Sequence, residues 1–409
     1  MTSSSIRNAG IAMVAVTIAS RGFGFLRETV IAHAFGASRE VDLFLLSLTI
    51  PAILITTVYY SIPNALVPLW SSGSSRPRQY IRISTGLVGG SLVVTAALWG
   101  FAGPTIRLLA PGFDAELQAR AAAILRIGTA AIVFGVIEAL SRSRLLAAKR
   151  FTMTGLSYLW QSLGIIFAAT AWRVHGAMGL MWGLVIGTAL SAMWNVALLI
   201  FSEDSKSGRL EAVPTGDSSG RVWMWVMLVL LTDSLAQVNA VVDRTLGSFL
   251  EPGAIAALNY ANLTAGLPAS IIGLALSTAI LPFLSEADAE KDIDRSRFII
   301  DRAIQWALLL SIPVTIWLMA FRTEISALLF HRGAFDARAL SMTASALSAA
   351  AVGIIPISVA AVWSRLFCAS RAWIPIAVTA AVALLSKAGL SVVLVPVLGA
   401  TGLALATSC

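Results

Sequence analysis

The chain has 409 residues, of which 57% are hydrophobic and only 12% are charged, and its formal net charge is +8. Soluble globular domains contain about 25% charged residues, so this composition excludes an ordinary soluble enzyme. It also excludes a disordered chain, because disorder requires low hydrophobicity and high charge. The class that remains is an all-α, polytopic membrane protein.

Eleven apolar segments follow one another along the chain, each long enough for a membrane helix of roughly 20 residues. After Pro396 a twelfth apolar run begins and the sequence stops at Cys409, so we expect the last helix to be incomplete. Prolines within the two longest segments predict a kink or an interfacial turn in each. The predicted spans are 8–34, 42–70, 83–103, 121–141, 153–172, 178–201, 222–246, 255–284, 303–321, 339–364 and 373–395.

The segment 202–221 is rich in Ser and Gly and follows the sixth span, which predicts a cytoplasmic linker. It separates a predicted N-terminal lobe, residues 1–201, from a C-terminal lobe, residues 222–409. With the N-terminus inside, the inner loops hold more than twice as many Lys and Arg residues as the outer loops. The positive-inside rule therefore predicts a cytoplasmic N-terminus, and the basic charge reflects topology rather than nucleic-acid binding.

Charged residues inside the first spans are informative, because each costs roughly 2.5–3.5 kcal/mol at a helix centre unless it has a partner or a wet cavity. Arg21, Arg27 and Glu28 lie in the first span, and Asp42 begins the second. Glu28 is seven residues after Arg21 and so faces the same way, whereas Arg27 points elsewhere. The arginines form either the basic wall of a central cavity or an internal ion pair with Glu28 or Asp42.

Two later spans carry further polar candidates. In the seventh span, Asp233, Gln237 and Arg244 fall at i, i+4 and i+11, which puts them on one stripe of a helix. This stripe either lines a cavity or serves a structural purpose. Lys387 lies centrally in the eleventh span and has no obvious partner in its own helix, so a functional and a structural role are both open.

No motif for cofactor chemistry occurs in the sequence. It lacks a phosphate-binding loop with its Lys-Ser/Thr, a GxSxG, an HExxH and a CxxC. The three histidines and two cysteines are scattered, which argues against a metal site. We expect no cofactor, and transport driven by the membrane potential or an ion gradient.

Several stretches, in order along almost the whole chain, resemble the MurJ/MviN family of lipid II flippases. This family belongs to the multidrug/oligosaccharidyl-lipid/polysaccharide exporter superfamily. The stretches that carry the resemblance are ASRGFGFLRETVIAHAFGASREVDLFLLSLTIP (19–51), NALVP (64–68), VDRTLGSFLEPGAIAALNYAN (242–262), GLALSTAILPFLS (273–285), LLFHRGAFDA (328–337), SRLFCASRAWIP (364–375) and GATGLALATS (399–408).

The resemblance implies two lobes of about six helices around a central cavity. It implies a flippase that moves a lipid-linked peptidoglycan precursor across the bacterial inner membrane by alternating access. Arg21, Arg27 and Asp42 match functional positions of the family, whose cavity arginines are thought to hold the substrate diphosphate. Two other family arginines fall on Ile55 and Leu263, and a family glutamate falls on Tyr60, so this cavity is less basic than the family's.

These departures keep other functions open. The alternatives are a flippase for another isoprenoid-linked glycan, a cation-coupled small-molecule exporter and a membrane scaffold that does not transport. The expected partners are a lipid-linked anionic glycan, membrane lipids and cell-wall synthesis proteins, with no nucleic acid.

Overall fold

The computed structural model describes residues 20–71, 77–148, 150–203, 237–290, 292–369 and 373–408. Within these ranges the chain forms helices joined by short turns. Helix α1 covers residues 20–35. The helices that follow are α2 (Arg39–Ser71), α3 (Pro77–Gly100), α4 (Ala102–Leu109), α5 (Ala115–Ala147), α6 (Phe151–Gly155), α7 (Ser157–Ala171), α8 (Gly176–Glu203), α9 (Val238–Gly247), α10 (Ala254–Ala289), α11 (Ile293–Ala320), α12 (Arg322–Phe330), α13 (Ala337–Val352), α14 (Ile354–Ala369) and α15 (Trp373–Ser408).

Eight helical segments in the described part of the chain are long and apolar enough to cross a membrane. The predicted spans 8–34 and 222–246 lie partly outside the described residues, as does most of the predicted linker 202–221. The predicted span 339–364 corresponds to one candidate membrane span, Ala337–Trp363, in which α13 and α14 follow each other through Gly353 with helical backbone angles.

The prolines of the two longest segments were predicted to cause a kink or an interfacial turn. Helices α2 and α10 each run through their prolines without a turn, so the interfacial turn is wrong and the kink stays a prediction. A proline removes its own N–H and crowds the carbonyl four residues earlier, yet a long helix can continue through such a site. The chain does break at Gly399, whose φ of 56° interrupts α15 before its last helical turns.

The helices group into two compact units. The N-terminal unit contains the described residues up to Phe35 and the described part of Leu43–Val241. The C-terminal unit contains Gly36–Asp42 and the described residues from Val242 onward. The short segment 36–42 therefore belongs with the C-terminal unit although it precedes most of α2.

In the N-terminal unit, α2, α3 and α5 share an apolar core that includes Ile62, Ile83 and Val136. Helices α7 and α8 pack with their backbones close together, since a Cβ on Gly187 would approach the Trp160 carbonyl oxygen to 2.7 Å. Small residues permit such close helix packing in membranes, where helix association depends on van der Waals contact.

The core of the C-terminal unit is built from α10, α13 and α15, with contributions from α11, α12 and α14. Its buried residues include Leu258, Leu347 and Leu403. The segment 36–42 docks on this unit through Gly36 (φ 64°), whose carbonyl oxygen accepts a hydrogen bond from the Tyr260 hydroxyl at 3.1 Å. At Gly253 (φ 89°) a Cβ would collide with the Ala37 carbonyl oxygen. Glycine is thus required where this segment meets the start of α10.

Candidate functional site

The charged residues of α1 form an ion pair within the N-terminal unit. The Arg27 side chain donates to Glu28 Oε1 from Nε at 3.1 Å and from Nη2 at 2.6 Å. Glu28 is buried, and Arg27 is about four-fifths buried with 20% of its side chain exposed. Arg21 is exposed. The ion pair with Glu28, one of the two alternatives left open for the arginines, is therefore formed by Arg27.

Asp42 is held at the start of α10 in the C-terminal unit. It is 1% exposed, and its Oδ2 and Oδ1 accept hydrogen bonds from the backbone N–H groups of Gly253 at 2.6 Å and Ala256 at 2.9 Å. Arg39 Nη1 lies 3.9 Å from Oδ2. A carboxylate at a helix N-terminus satisfies otherwise unpaired N–H groups and interacts favourably with the helix dipole. Asp42 therefore positions α10, and its predicted contact with substrate stays a prediction.

The polar stripe predicted for the seventh span is only partly described. Asp233 lies outside the described residues, and Gln237 lies in the turn that precedes α9. Arg244, on α9, donates from Nη2 to Asn259 Oδ1 on α10 at 3.1 Å. Its charge also acts on the carboxylate of Asp42. Arg244 is thus close to the start of α10, where Asp42 is bound.

Lys387 has a partner that its own helix could not supply. Its Nζ lies 2.9 Å from Asp243 Oδ2 on α9. The two side chains are 6% and 14% exposed, and Asp243 Oδ1 is buried with no hydrogen-bond partner in the described part of the chain. This pair links α9 to α15 inside the C-terminal unit. One charge of each sign in two apolar spans was the only signal of it in the sequence.

A second polar cluster in the N-terminal unit was not predicted as a site. Glu138 on α5 is buried, and its Oε1 accepts hydrogen bonds from Ser157 at 3.1 Å and Ser191 at 2.6 Å. Arg142, one helical turn further along α5, lies with its guanidinium 3.8 Å from the ring centroid of Tyr59 on α2. The i,i+4 spacing of Glu138 and Arg142 suggests a local ion pair, but each side chain turns to a different helix instead.

No group of three or more His, Cys, Asp or Glu side chains that could hold a metal ion occurs in the described ranges. Among the cationic residues described above, Arg27 and Lys387 are ion-paired and Arg142 is stacked on Tyr59. Buried arginines offer fixed charge and a planar fork of donors, which suits phosphate oxygens. The arrangement can bind anions and stabilise helix positions, and it contains no assembled nucleophile or acid–base pair.

Comparison with known proteins gives a consistent result. A family model described as "Lipid II flippase MurJ" matches residues 31–409. A lipid II flippase MurJ from Burkholderia cenocepacia is 27% identical over 405 residues, covering 95% of this chain and 78% of that protein. A probable lipid II flippase MurJ from Thermotoga maritima is 28% identical over 399 residues, covering 96% of this chain and 80% of that protein.

Solved structures show the same architecture. A lipid II flippase MurJ in an inward closed conformation superposes with a TM-score of 0.83 at 24% identity, covering 97% of this chain and 84% of that chain. An inward-facing multidrug resistance MATE family transporter of the MOP superfamily gives a TM-score of 0.71 at 14% identity, covering 97% of this chain and 93% of that chain. At these identities the likeness establishes the fold.

Proposed function

This chain belongs to the MurJ family of lipid II flippases, and on that premise we propose that it moves a lipid-linked peptidoglycan precursor of the lipid II type across the bacterial inner membrane. The observation that carries the proposal is the family match over residues 31–409, nearly the whole chain. The protein is a multi-pass membrane transporter and not an enzyme. Alternating access of a central cavity to the two sides of the membrane is the proposed mechanism.

The substrate's diphosphate is the group that the arginines would recognise. Arg27 is held in place by Glu28 at 2.6 Å, so its guanidinium has little rotamer freedom left to lose on binding. A diphosphate carries several oxyanions, and an arginine can bind two of them with parallel hydrogen bonds. Arg21, which is exposed one to two turns earlier on the same helix, would add a second positive charge.

The driving force proposed is the membrane potential or an ion gradient. Moving one elementary charge through a potential of 100 mV supplies about 2.3 kcal/mol, enough to bias a two-state conformational cycle. We further propose that the N-terminus is cytoplasmic and that cell-wall synthesis proteins receive the flipped substrate. Collapse of the potential by an ionophore should slow flipping by proteoliposomes, and fusion of a reporter to the N-terminus should report a cytoplasmic location.

A depletion strain tests the proposed function. Expression of this chain should restore growth to bacteria depleted of their own lipid II flippase. Purified protein in proteoliposomes should expose labelled lipid II to the outer leaflet. If the chain is abundant in the membrane yet neither restores growth nor flips lipid II, the proposal is wrong. Export of cationic drugs by the same vesicles would instead favour the small-molecule exporter.

The role of Arg27 is separable from its role in the ion pair. Arg27→Ala leaves Glu28 buried without its cation, so loss of activity there has two explanations. The double variant Arg27→Gln with Glu28→Gln removes both charges together and should preserve folding. If Arg27 binds the diphosphate, the double variant folds but fails to restore growth. If the pair is purely structural, the double variant restores growth like the unmodified chain.

A further inference from the structure

Arg142 lies on the face of α5 that packs against α2 in the N-terminal unit. Ile55 on α2 packs against α5 at Gly135, since a Cβ on that glycine would lie 3.4 Å from Ile55 Cγ2. Tyr59 is one helical turn after Ile55, and Arg142 is two turns after Gly135. The contact between the two helices therefore runs from an apolar pair to the stacked Tyr59–Arg142 pair. The contact between α2 and α5 thus contains Ile55 on α2 and, further along it, the positive charge of Arg142 on α5.

The guanidinium of Arg142 stacks on the ring of Tyr59, and most of its N–H donors make no hydrogen bond within the described residues. It lies 3.8 Å from the centroid of the Tyr59 ring, and its Nη1 donates to the Tyr59 carbonyl oxygen at 3.4 Å. This is its one hydrogen bond among the described residues, and its Nε is buried with no partner there. A guanidinium has five N–H donors, and stacking on an aromatic ring leaves their edge available for oxyanions.

The nearby carboxylate does not neutralise this charge by direct contact. Glu138 Oε1 accepts its hydrogen bonds from Ser157 at 3.1 Å and Ser191 at 2.6 Å. Two hydroxyl donors from α7 and α8 thus hold Glu138 away from an ion pair with Arg142. The charge of Glu138 still acts on Arg142, but no carboxylate in the described residues is bonded to its donors, which leaves them able to bind an anion from outside the chain.

Arg142 and Arg27 belong to the same compact unit of the chain.

We propose that Arg142, held on the Tyr59 ring, is a further residue of this transporter that binds the diphosphate of the lipid-linked substrate. The inference rests on the proposed function, since it assigns a further residue to the same substrate. The Tyr59 ring would fix the plane of the Arg142 fork against the diphosphate oxygens. The chemical class recognised is a polyprenyl diphosphate.

The test uses binding of two lipids with the same tail to the purified full-length protein. Undecaprenyl diphosphate carries the anionic group and undecaprenol lacks it. Arg142→Gln should weaken binding of the diphosphate by about tenfold or more, as expected for loss of a charged hydrogen bond. Binding of undecaprenol should not change. Arg142→Lys, which keeps the charge and loses the fork, should give an intermediate affinity.

Arg126 offers a matched control on the same helix. It lies over the ring of Trp99 at 5.6 Å and donates to the Trp99 carbonyl oxygen at 3.3 Å, so its local geometry mirrors that of Arg142. It is four to five helical turns away from Arg142 and exposed. Arg126→Gln should bind both lipids as the unmodified protein does.

The outcomes separate this inference from the proposed function. If the unmodified protein neither binds undecaprenyl diphosphate nor flips lipid II, the proposed function itself is wrong. If it does both, and Arg142→Gln binds the diphosphate equally well, Arg142 has no role in recognition. Equal weakening of both lipids by Arg142→Gln would indicate a structural role and overturn the inference. Should Arg142→Gln fail to fold, Arg142→Lys decides, because full affinity there contradicts recognition by the fork.

Discussion

We expect loss of either Lys387 or Asp243 alone to destabilise the protein much more than replacement of both residues together. Lys387→Met deletes the cation and leaves a buried carboxylate. Asp243→Leu deletes the anion and leaves a buried ammonium. The double variant replaces both ions with apolar side chains of similar length or volume. In the described structure the pair links α9 to α15, so its loss should be felt by the whole C-terminal unit.

The magnitude follows from the distance and the burial. At 2.9 Å and an effective dielectric constant of about 20, two unit charges attract by about 6 kcal/mol. Burial offsets much of this gain, because both ions lose hydration. Removing one partner of such a pair costs about 3–5 kcal/mol, whereas replacing both by apolar groups is often close to neutral. Each single variant should therefore be much less stable than the double variant.

Thermal unfolding of the purified protein measures the effect. For a unit of this size, each kcal/mol shifts the Tm by about 2–4 °C, so a single variant should lose roughly 6–20 °C. The double variant should recover most of that loss, which gives a large coupling energy in a double-mutant cycle. Arg338→Ala serves as a control, since its ion pair with Glu251 is more than half exposed at 56% and 58% and should matter little. If the single effects add up in the double variant, the two charges do not stabilise each other and the reasoning is refuted.

Two further predictions concern the start of α10. Asp42→Asn keeps one acceptor oxygen and turns an amide donor toward a backbone N–H, so we expect about 1–3 kcal/mol of lost stability in unfolding experiments, whereas Asp336→Asn, at a helix start with one side-chain bond, should be nearly neutral. Gly253→Ala forces a side chain into φ 89° and against the Ala37 carbonyl oxygen, and should cost at least about 1 kcal/mol. Gly266→Ala, within α10 with open space around it, should instead be neutral or stabilising; equal effects at both glycines would contradict the strain at position 253.

Charged residues were identifiable in the sequence because a membrane span makes each of them costly. Lys387 and Arg27 were both identified in this way, and each of them forms an ion pair in the structure. The partner of a charged residue is harder to predict when it lies on a different helix. Asp243 precedes Lys387 by 144 residues, and no periodicity within α15 points to it. Helical spans could be placed from local composition, while pairs across spans depend on the packing of the whole unit.

Asp42 shows the same limit from another direction. The family resemblance suggested that Asp42 has a functional role, and the alternative was an ion pair with an arginine of the first span. The structure uses it to satisfy two backbone N–H groups at the start of a helix more than 200 residues later. The unpaired N–H groups of a helix start are invisible in a sequence unless the capping residue is adjacent. The glycines at 36 and 253, both with positive φ, were the local signs that two chain segments approach closely there.

The fold by itself does not select the substrate. The same architecture is shared with a multidrug resistance MATE family transporter at a TM-score of 0.71, and a fold can serve unrelated substrates when the side chains lining it change. On the proposed function, the charges inside the units select the substrate. Arg27, tied to Glu28, and Arg142, stacked on Tyr59, both offer fixed guanidinium groups, which favour phosphate oxygens over a cationic drug. The two carboxylates beside these arginines already have partners within the chain, because Glu28 accepts from Arg27 and Glu138 accepts from two serines.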